Sequence, residues 1–598
     1  MRIYLWLVVI LGVAVISCQK GKAIQPFQFD VTTPHQDEIA DTMDIENTDN
    51  VKWSSIPEDR QKELIDAWLS NNEKHTIDEI QLFSVNLLPR LYQHNNEKFI
   101  WTSKKNITDA YRALELSYLD GLRPEDYHQE ELNQLREVLA NMDDENMEES
   151  LFAKHDILLT DAILMYGFHL LIGKVDPAEI DPNWNYKNRT ISESTIKSFF
   201  EIIQEKKLFE GFDNLRPAKL EYRAMMNAIL YYRELVNEDW TTIEGFDKLE
   251  IGDTNQYVPL IRERLSLCCQ WNEFVTDSMV FDSSLYKGIV AFQNVHGLEA
   301  DGVIGLKTIE LLNFSPKQRI EKLKVNLERL RWLHDEVEEY SIEVNIAAFK
   351  LYVKKENELI YECNVVTGQP YHKTPIFTAP MKYIDFNPTW TVPYSIATNE
   401  ILPKLKVQGS SYLARNNMEL LNHSGKAIDA GSVNFKELSA GKFPYIIRQK
   451  PGSDNALGVV KFMFPNQYSV YLHDTQSKTL FSKTSRAFSH GCIRVENPLQ
   501  LAEILLDDKK AWDREKIDKV IETRKTKTVN LKRDVNVKLL YYTAGLFSDG
   551  TMFYLPDVYK RDEAILKKLE QPFEYNRNTL FRVYPDKNAS DIDSLMKL

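Results

Sequence analysis

The chain has 598 residues, of which 88 are acidic and 73 basic, so its formal net charge is -15 at pH 7. This charge argues against a nucleic-acid partner, because such binding depends on Lys and Arg side chains that neutralise phosphates. The length predicts about four domains of ~150 residues, and 43% apolar residues are ample for their cores.

The amino terminus has the features of an export signal. Arg2 precedes an apolar run over residues 3–16, which is shorter than the roughly 20 residues that a membrane-spanning helix needs. Residues 1–18 are therefore expected to be a signal peptide, and Val15-Ile16-Ser17-Cys18 resembles a bacterial lipobox. That resemblance implies that Cys18 carries a lipid and anchors a periplasmic protein of the cell envelope to a membrane. The alternative is an ordinary cleaved signal with an incidental cysteine. Residues 19–50 are polar and acidic, which predicts a flexible tether.

Residues 51–245 are predicted to form a helical scaffold domain. Glycine is scarce there, and stretches such as 157–166 are apolar on more than one face, as in helices packed inside a bundle. On these patterns alone the region is a helical domain and nothing more specific.

Residues 254–316 are predicted to be a separate three-helix unit, with Thr254 and Ser284 as helix caps and a third helix after Gly305. The run Asp301-Gly302-Val303-Ile304-Gly305 resembles the turn of the peptidoglycan-binding module. Because the two glycines also suit any tight turn, the unit is expected either to bind the wall polymer or to serve as a spacer.

From Ser341 onward the apolar period changes from helical to alternating, which predicts strands and hairpins. Residues 340–525 are expected to form a mainly β domain, with a mixed helical and loop insertion at about 396–457; because this domain contains a closely spaced His and Cys, it is the expected catalytic domain. Trp390, just before this insertion, is expected either to line a cleft or to pack in the core. Residues 526–598 are read as an extension that completes the same domain. The predicted fold class is thus multidomain α and β, with the helical parts first.

One short segment carries the chemistry. His473 ends an alternating stretch and is followed, after fifteen residues, by Ser489-His490-Gly491-Cys492-Ile493-Arg494. A thiol nucleophile needs a base, a group that orients the base, and N–H donors for the oxyanion. The glycine lets the chain turn sharply, so that the N–H groups of Gly491 and Cys492 can converge on one point. His473 and Cys492 are therefore candidates for an acyl-transfer pair.

This pattern resembles the signature of the L,D-transpeptidases, which cross-link peptidoglycan through a cysteine thioester. The resemblance implies that His473 is the general base, that Cys492 is the nucleophile, and that the backbone carbonyl of Asp474 orients the imidazole. Ser489, His490 and Gly491 would then shape the oxyanion side of the pocket. Arg494 would be either a structural salt-bridge partner or a substrate contact. Segments 119–127 and 173–177 resemble the scaffold of the large multidomain branch, in which an insertion caps the substrate cleft.

The implied reaction is attack by Cys492 on a tetrapeptide stem of peptidoglycan, with release of D-alanine, followed by transfer to the amine of a second stem. No metal or organic cofactor is required. Two alternatives stay open: trimming of stems by water, as an L,D-carboxypeptidase, and a catalytically silent anchor lipoprotein that binds the wall.

Competing chemistries have weaker support. No His-Glu-x-x-His metal motif occurs in the sequence. Ser439-x-x-Lys442 and Ser453-Asp454-Asn455 match fragments of the serine penicillin-binding enzymes, but they lie too close together and no Lys-Thr-Gly follows. Of the other cysteines, Cys363 lies on the apolar register of a strand, and the adjacent Cys268 and Cys269 are unsuited to bridging each other. We therefore expect no disulfide framework.

Overall fold

The computed structural model describes residues 28–32, 51, 56–70, 76–142, 148–182, 184–186, 191–205, 207–237, 239–269, 271, 279–333, 337–508, 510–574 and 583–584. Cys18 and the predicted signal peptide lie outside these residues, as does most of the predicted tether. The predicted fold class is confirmed, since helices dominate up to residue 331 and strands dominate after it.

The scaffold is a bundle built around one long buried helix. Its helices are α1 Glu58–Ser70, α2 Leu88–His94, α3 Lys104–Glu115, α4 Gln129–Ala140, α5 Glu149–Ile172, α6 Pro177–Ile180, α7 Glu193–Gln204, α8 Leu208–Leu215 and α9 Leu220–Glu234, with 3₁₀ turns at Leu116–Asp120 and Pro124–Asp126 and short strands β1 Thr76–Ile77, β2 Ile80–Gln81 and β3 Ile191–Ser192. Helix α5 is long and apolar enough to cross a membrane, but 89% of its apolar window is buried inside the protein. Because α5 is apolar on every face, it is stable only where other helices cover it on all sides, as they do in this bundle.

The three-helix unit comprises α10 Val258–Cys269, α11 Ser283–Val295 and α12 Leu306–Leu312, and strand β4 Lys248–Leu249 pairs with β5 Ile304–Gly305. The predicted caps are wrong. Asp282, not Ser284, caps α11 by accepting the Leu285 N–H at 2.9 Å, and Thr254 instead forms a β-bridge with Val280. A carboxylate two residues earlier takes the cap because the helix begins at Ser283, where the free Leu285 N–H is within its reach.

Gln293 closes the Asp-Gly-x-Ile-Gly turn of this unit. Its amide accepts the Gly302 N–H at 2.8 Å and donates to Asp301 and to the Val303 carbonyl, both at 2.9 Å. The side chain is buried, so these bonds satisfy polar groups that would otherwise lack partners. The turn therefore has a structural explanation that requires no ligand.

Helix α13 Pro316–Arg331, which precedes the strand-rich part of the chain, contacts the scaffold through a buried ionic cluster. Asp120 of the scaffold pairs with Arg216 at 2.8 Å and accepts the Tyr222 hydroxyl at 2.8 Å. From α13, Arg331 donates to the Asp120 carbonyl at 2.7 Å and pairs with Glu328. Because removing one member of such a cluster leaves an uncompensated buried charge, the cluster fixes α13 to the scaffold.

The catalytic domain is a sheet that closes on itself. Its strands are β6 Tyr340–Asn345, β7 Lys350–Lys355, β8 Glu358–Gly368, β9 Phe377–Phe386, β14 Val460–Met463, β15 Leu472–His473, β16 Ala487–Ser489, β17 Ile493–Val495 and β18 Lys527–Leu540. The order is β16-β8-β17-β15-β14-β9-β18-β6-β7, and β7 also pairs with β8, which completes a barrel. Helices α17 Pro498–Leu506 and α18 Arg514–Glu522 and the 3₁₀ helix Lys478–Ser482 follow the site strands.

The insertion has its own sheet and core, which corrects the prediction of helices and loops alone. Strands β10 Trp390–Thr391, β11 Met418–Leu421, β12 Ala427–Ile428 and β13 Ile446–Gln449 pair in the order β10-β13-β11-β12. Its helices are α14 Tyr394–Ile396, the π-helix Ala397–Ile401, α15 Leu402–Gln408 and α16 Ser411–Arg415, with 3₁₀ turns at Ala430–Ser432 and Phe435–Glu437. These strands are too short for an alternating pattern to stand out in the sequence.

The carboxy-terminal extension does more than complete the barrel, which is where the prediction fell short. After β18 the hairpin β19 Ala544–Leu546 and β20 Met552–Tyr554 joins the core formed by α9 and α13. Helix α19 Asp562–Glu570 lies against α13, and strand β21 Val583–Tyr584 pairs with β3 of the scaffold. The extension therefore straps the catalytic domain to the helical half.

Residues 28–32, inside the predicted tether, also lie against the folded protein. The Phe29 ring packs against Tyr231 and Tyr232 at centroid distances of 5.9 and 6.0 Å, and the Asn227 amide donates to the carbonyls of Asp30 and Thr32. The prediction of a flexible tether is wrong for this segment, because Phe29 supplies an apolar anchor that the average composition hides.

Candidate active site

The barrel brings His473 and Cys492 to neighbouring strands. β15 and β17 run parallel, with Leu472 opposite Ile493 and His473 opposite Arg494. Leu472 and Ile493 are buried in the barrel core, and successive side chains alternate between the two faces of a strand. His473 and Cys492 therefore share the other face, His473 at the end of β15 and Cys492 immediately before β17.

His473 is held in one tautomer. Its ring is 5% exposed, and Nδ1 lies 2.5 Å from the carbonyl oxygen of Asp474. A carbonyl can only accept, so Nδ1 carries the hydrogen and Nε2 keeps its lone pair. The Asp474 carboxylate is itself fixed by the Val459 N–H at 2.9 Å and the Lys478 ammonium at 2.6 Å. The backbone that orients the imidazole is thus anchored.

Both members of the pair are neutral in the resting protein. Burial lowers the pKa of His473 to about 3, and the nearby charges of Arg494 and Lys461 act in the same direction. Burial raises the pKa of the Cys492 thiol, although hydrogen bonds from Tyr471 and the same two cations oppose this. A neutral imidazole beside a neutral thiol can act as a base during attack, whereas a stored thiolate–imidazolium pair is disfavoured here.

In the resting geometry the thiol hydrogen of Cys492 points toward the Ser469 carbonyl and not toward His473. Cys492 is half-buried, and its Sγ donates to the Ser469 carbonyl at 3.7 Å. Of the alternating stretch that ends at His473, only Leu472 and His473 form a strand, β15. The Asn466 side chain accepts the N–H groups of Tyr468 and Val470 and holds the chain in a turn instead. The S–H bond must therefore rotate toward His473 before proton transfer.

Ser489 and Gly491 form the turn that carries Cys492, the candidate nucleophile, and this turn is called the nucleophile turn. Gly491 has φ +113°, a conformation that side-chain-bearing residues rarely adopt. The Ser489 hydroxyl donates to the Cys492 carbonyl at 2.5 Å and accepts the Gly491 N–H at 3.1 Å. The Gly491 N–H is therefore already bonded, contrary to its predicted place in an oxyanion hole. The Cys492 N–H is the candidate donor that this turn leaves for that task.

Three segments match family models. Residues 339–522 match the model of the YkuD family, described as the L,D-transpeptidase catalytic domain. The chain contains an L,D-transpeptidase catalytic domain. Residues 86–229 match the model described as "Scaffold domain", and residues 256–312 match the one described as "Putative peptidoglycan binding domain". The resemblances predicted from the sequence are confirmed at the level of these domains.

Individual proteins are similar to part of the chain. A "Putative L,D-transpeptidase" of Haemophilus influenzae is 35% identical over 245 residues, which are 41% of this chain and 49% of that protein. The chain thus spans about half the length of the curated relative that it matches. Among solved structures, an L,D-transpeptidase from Xylanimonas cellulosilytica is 14% identical with a TM-score of 0.17, covering 50% of this chain and 99% of that one. A second, from Stackebrandtia nassauensis, is 12% identical with a TM-score of 0.20, covering 50% and 97%.

His490 faces the insertion. Its Nε2 lies 2.7 Å from the Glu400 carboxylate, on the π-helix of the insertion, and its ring lies 5.0 Å from that of His372. The residue between the serine and glycine of the L,D-transpeptidase motif therefore joins the nucleophile turn to the insertion. This contact places the insertion directly beside the Cys492 turn.

Arg494 is not a salt-bridge partner of any residue described by the structure, which removes one of its two predicted roles. Among those residues, no carboxylate lies within 4.0 Å of its guanidinium, and its Nε is buried without a hydrogen-bond partner. Because Arg494 is opposite His473 in the sheet, its charge lies on the site face. Contact with the substrate stays the other predicted role of Arg494.

Tyr471 and Lys461 also lie at the site, although neither was predicted from the sequence to be a site residue. Lys461 is opposite His473 on β14, and its ammonium lies 4.0 Å from the centre of the Tyr471 ring. Burial raises the pKa of Tyr471, and its contact with Cys492 raises it further. A hydrogen bond with Trp390 acts in the opposite direction and lowers this pKa. Trp390 thus reaches the site face and also packs against the core of the insertion, so neither of its two predicted places excludes the other. Tyr471 could have been predicted, because it lies two residues before His473 and side chains two positions apart in an extended chain point to the same side. Lys461 could not, because its position opposite His473 depends on how β14 and β15 pair.

Cys268 and Cys363 are free and buried in the cores of their domains, and burial raises the pKa of Cys363 to about 11. A thiol of that kind packs as a small apolar side chain. Within the part of the chain that the structure describes, no group of three or more His, Cys, Asp and Glu side chains could hold a metal ion.

The low pKa of His473 predicts an unusual pH profile. The neutral imidazole, the form that accepts a proton, persists as pH falls through 6.5 and is lost only as pH approaches the pKa of about 3. We expect kcat/KM for D-alanine release to stay level from pH 8 to about pH 5 and to decline below about pH 4. Circular dichroism at each pH checks that the protein stays folded. An acid limb centred between pH 6 and 7 would show that His473 is solvated, contrary to this structure.

Proposed function

We propose that this chain is a cysteine-dependent L,D-transpeptidase that forms peptidoglycan cross-links from tetrapeptide stems. One observation carries the proposal: His473 is fixed by the Asp474 carbonyl with Nε2 free, on the strand next to Cys492. This is the arrangement that base-assisted attack by a thiol requires, and it lies in a domain matched to the L,D-transpeptidases.

The first half of the reaction forms a thioester. His473 Nε2 takes the thiol proton as Cys492 Sγ attacks the carbonyl of the third stem residue, and the Cys492 N–H donates to the oxyanion. When the tetrahedral intermediate collapses, the C–N bond to D-alanine breaks and the imidazolium returns its proton to the departing amine. D-alanine leaves, and the rest of the stem stays on sulfur.

The second half transfers the acyl group. An amine on the side chain of a second stem attacks the thioester, His473 takes a proton from that nitrogen, and the thiolate leaves and is reprotonated. The product is a 3-3 cross-link. Attack by water instead would give trimmed stems, the carboxypeptidase alternative. We expect the insertion, which contacts the Cys492 turn through Glu400 and His490, to limit access of water and so to favour the amine.

The catalytically silent anchor is the less favoured alternative, since an oriented base and a free thiol have no role in it. The three-helix unit and the acidic chain fit a wall polymer better than a nucleic acid, and Cys18 stays the predicted point of lipid attachment. We accordingly propose that peptidoglycan is the partner and that the protein acts in the cell envelope.

Product analysis tests the function. The full chain without its signal peptide is incubated with a disaccharide-tetrapeptide, and the products are separated and weighed by mass spectrometry. We expect free D-alanine and a dimer whose mass is two substrates less one D-alanine. D-alanine with monomeric tripeptide alone would support the carboxypeptidase, and unchanged substrate would support the silent anchor.

A further inference from the structure

Tyr559 reaches the nucleophile turn from outside the segment that matches the catalytic-domain model. It lies in the carboxy-terminal extension, 37 residues beyond the matched range 339–522, and its side chain is 1% exposed. Its hydroxyl donates to the Gly368 carbonyl at 2.6 Å and accepts the Thr374 N–H at 3.3 Å. These are the two residues through which it acts on the site.

Tyr559 is itself rigidly held. Its ring stacks on that of Tyr541 at 5.5 Å and an interplanar angle of 18°, and its N–H donates to the Tyr541 hydroxyl at 2.8 Å. Its carbonyl accepts the Lys373 ammonium at 2.7 Å. The hydroxyl therefore meets Gly368 and Thr374 in a fixed place.

Thr374 passes this constraint to the turn. Its side chain is fully buried, and its hydroxyl accepts the Gly368 N–H and donates to the Gly491 carbonyl, each at 2.9 Å. Gly368 packs so closely here that a Cβ on it would lie 2.0 Å from the His372 carbonyl oxygen and 3.1 Å from Gly491 Cα. The contact is backbone against backbone, so it leaves the turn no room to shift.

Fixing the Gly491 carbonyl also fixes the N–H of the next residue. The Gly491–Cys492 peptide is trans, and in a planar trans peptide the C=O and N–H point in opposite directions. Since Thr374 holds the carbonyl on one side, the Cys492 N–H is aimed to the other. The Gly491 N–H is bonded to Ser489, so the direction of the Cys492 N–H decides what this turn offers an oxyanion.

We propose that Tyr559 and Thr374 are positioning residues that aim the Cys492 N–H at the oxyanion, so that the carboxy-terminal extension completes the active site. The inference rests on the proposed thioester chemistry. It adds that the direction of the oxyanion donor depends on Tyr559, a residue 67 positions away from Cys492 in sequence. The catalytic segment 339–522 alone lacks this constraint.

The test is Tyr559→Phe in the full chain, with kcat and KM for D-alanine release measured beside the rate at which iodoacetamide alkylates Cys492. The ring and its stacking are kept, and only the hydroxyl is lost. A misdirected oxyanion donor is expected to lower kcat about 10-fold to 100-fold, with KM unchanged within about twofold. Alkylation forms no oxyanion, so its rate should match the wild type.

Tyr361→Phe is the matched control. Tyr361 is a buried tyrosine of the same domain whose hydroxyl donates to the Asn497 carbonyl at 3.2 Å, away from the nucleophile turn. It should retain wild-type kcat. Thr374→Ser, which keeps the hydroxyl, should retain most activity, whereas Thr374→Val should lose it. If Tyr559→Phe does not fold, the comparison of Thr374→Ser with Thr374→Val tests the proposal instead.

Equal kcat in wild type and Tyr559→Phe would overturn the proposal, as would a parallel loss of acyl transfer and alkylation, which indicates general disruption. A failure of the proposed function looks different, because the wild type itself would then release no D-alanine.

Discussion

Replacing Cys492 by alanine is expected to lower kcat for D-alanine release by at least about 10³-fold, to the background of the assay. The reason is covalent: without Sγ no thioester can form, and no other thiol is near enough to replace it among the described residues, where Cys268 and Cys363 are buried in separate cores. Removing a half-buried thiol should leave the fold intact, so the melting temperature should change little. Release of D-alanine from disaccharide-tetrapeptide is the measurement.

Cys363→Ala provides the control for loss of a thiol. Cys363 lies in the barrel core of the same domain at 4% exposure, and its high pKa keeps it protonated. Its alanine variant should have wild-type kcat per folded molecule. Wild-type rates in Cys492→Ala, or a comparable loss in Cys363→Ala, would contradict the assignment of the nucleophile.

Replacing His473 by glutamine is expected to lower kcat at pH 7 by about 10² to 10⁴-fold. Burial raises the pKa of Cys492, so almost no thiolate forms unaided at neutral pH. In this variant attack depends on thiolate made by the solvent. The residual rate should therefore rise with pH up to the pKa of the thiol, about tenfold per pH unit, while the wild-type rate is level over the same range.

His423→Gln is the control for this substitution, because His423 is exposed on the insertion and contacts none of the groups at the site described above. It should retain both the wild-type rate and the level profile. If His473→Gln kept a level profile near the wild-type rate, another group would have to be the base.

The proximity of the two candidate residues could be predicted because their motif is local in sequence. His473 and Cys492 are 19 residues apart and lie on strands that pair directly, so one motif names both. The orienting role of the Asp474 carbonyl, implied by the family resemblance, concerns the very next residue and agrees with the 2.5 Å contact to Nδ1.

What escaped prediction is what depends on tertiary contacts. Lys461 reaches His473 only through the register of β14 and β15. Tyr559 meets Thr374 across 185 residues, and Glu400 meets His490 across 90. No periodicity reports such pairs. The hydrogen bond from the Gly491 N–H to the Ser489 hydroxyl could not be predicted either, because it depends on the geometry of the turn, which the sequence does not specify.

The central claim is that Cys492 carries the stem as a thioester, and intact-protein mass spectrometry tests it most directly. Wild type and Cys492→Ala are mixed with disaccharide-tetrapeptide whose side-chain amine has been acetylated, so that it can donate but not accept, and are quenched in acid within seconds. We predict a mass gain in the wild type equal to the substrate less D-alanine, located on the peptide containing Cys492 and removed by hydroxylamine. D-alanine release without any adduct under these conditions, or the same adduct on Cys492→Ala, would contradict the account.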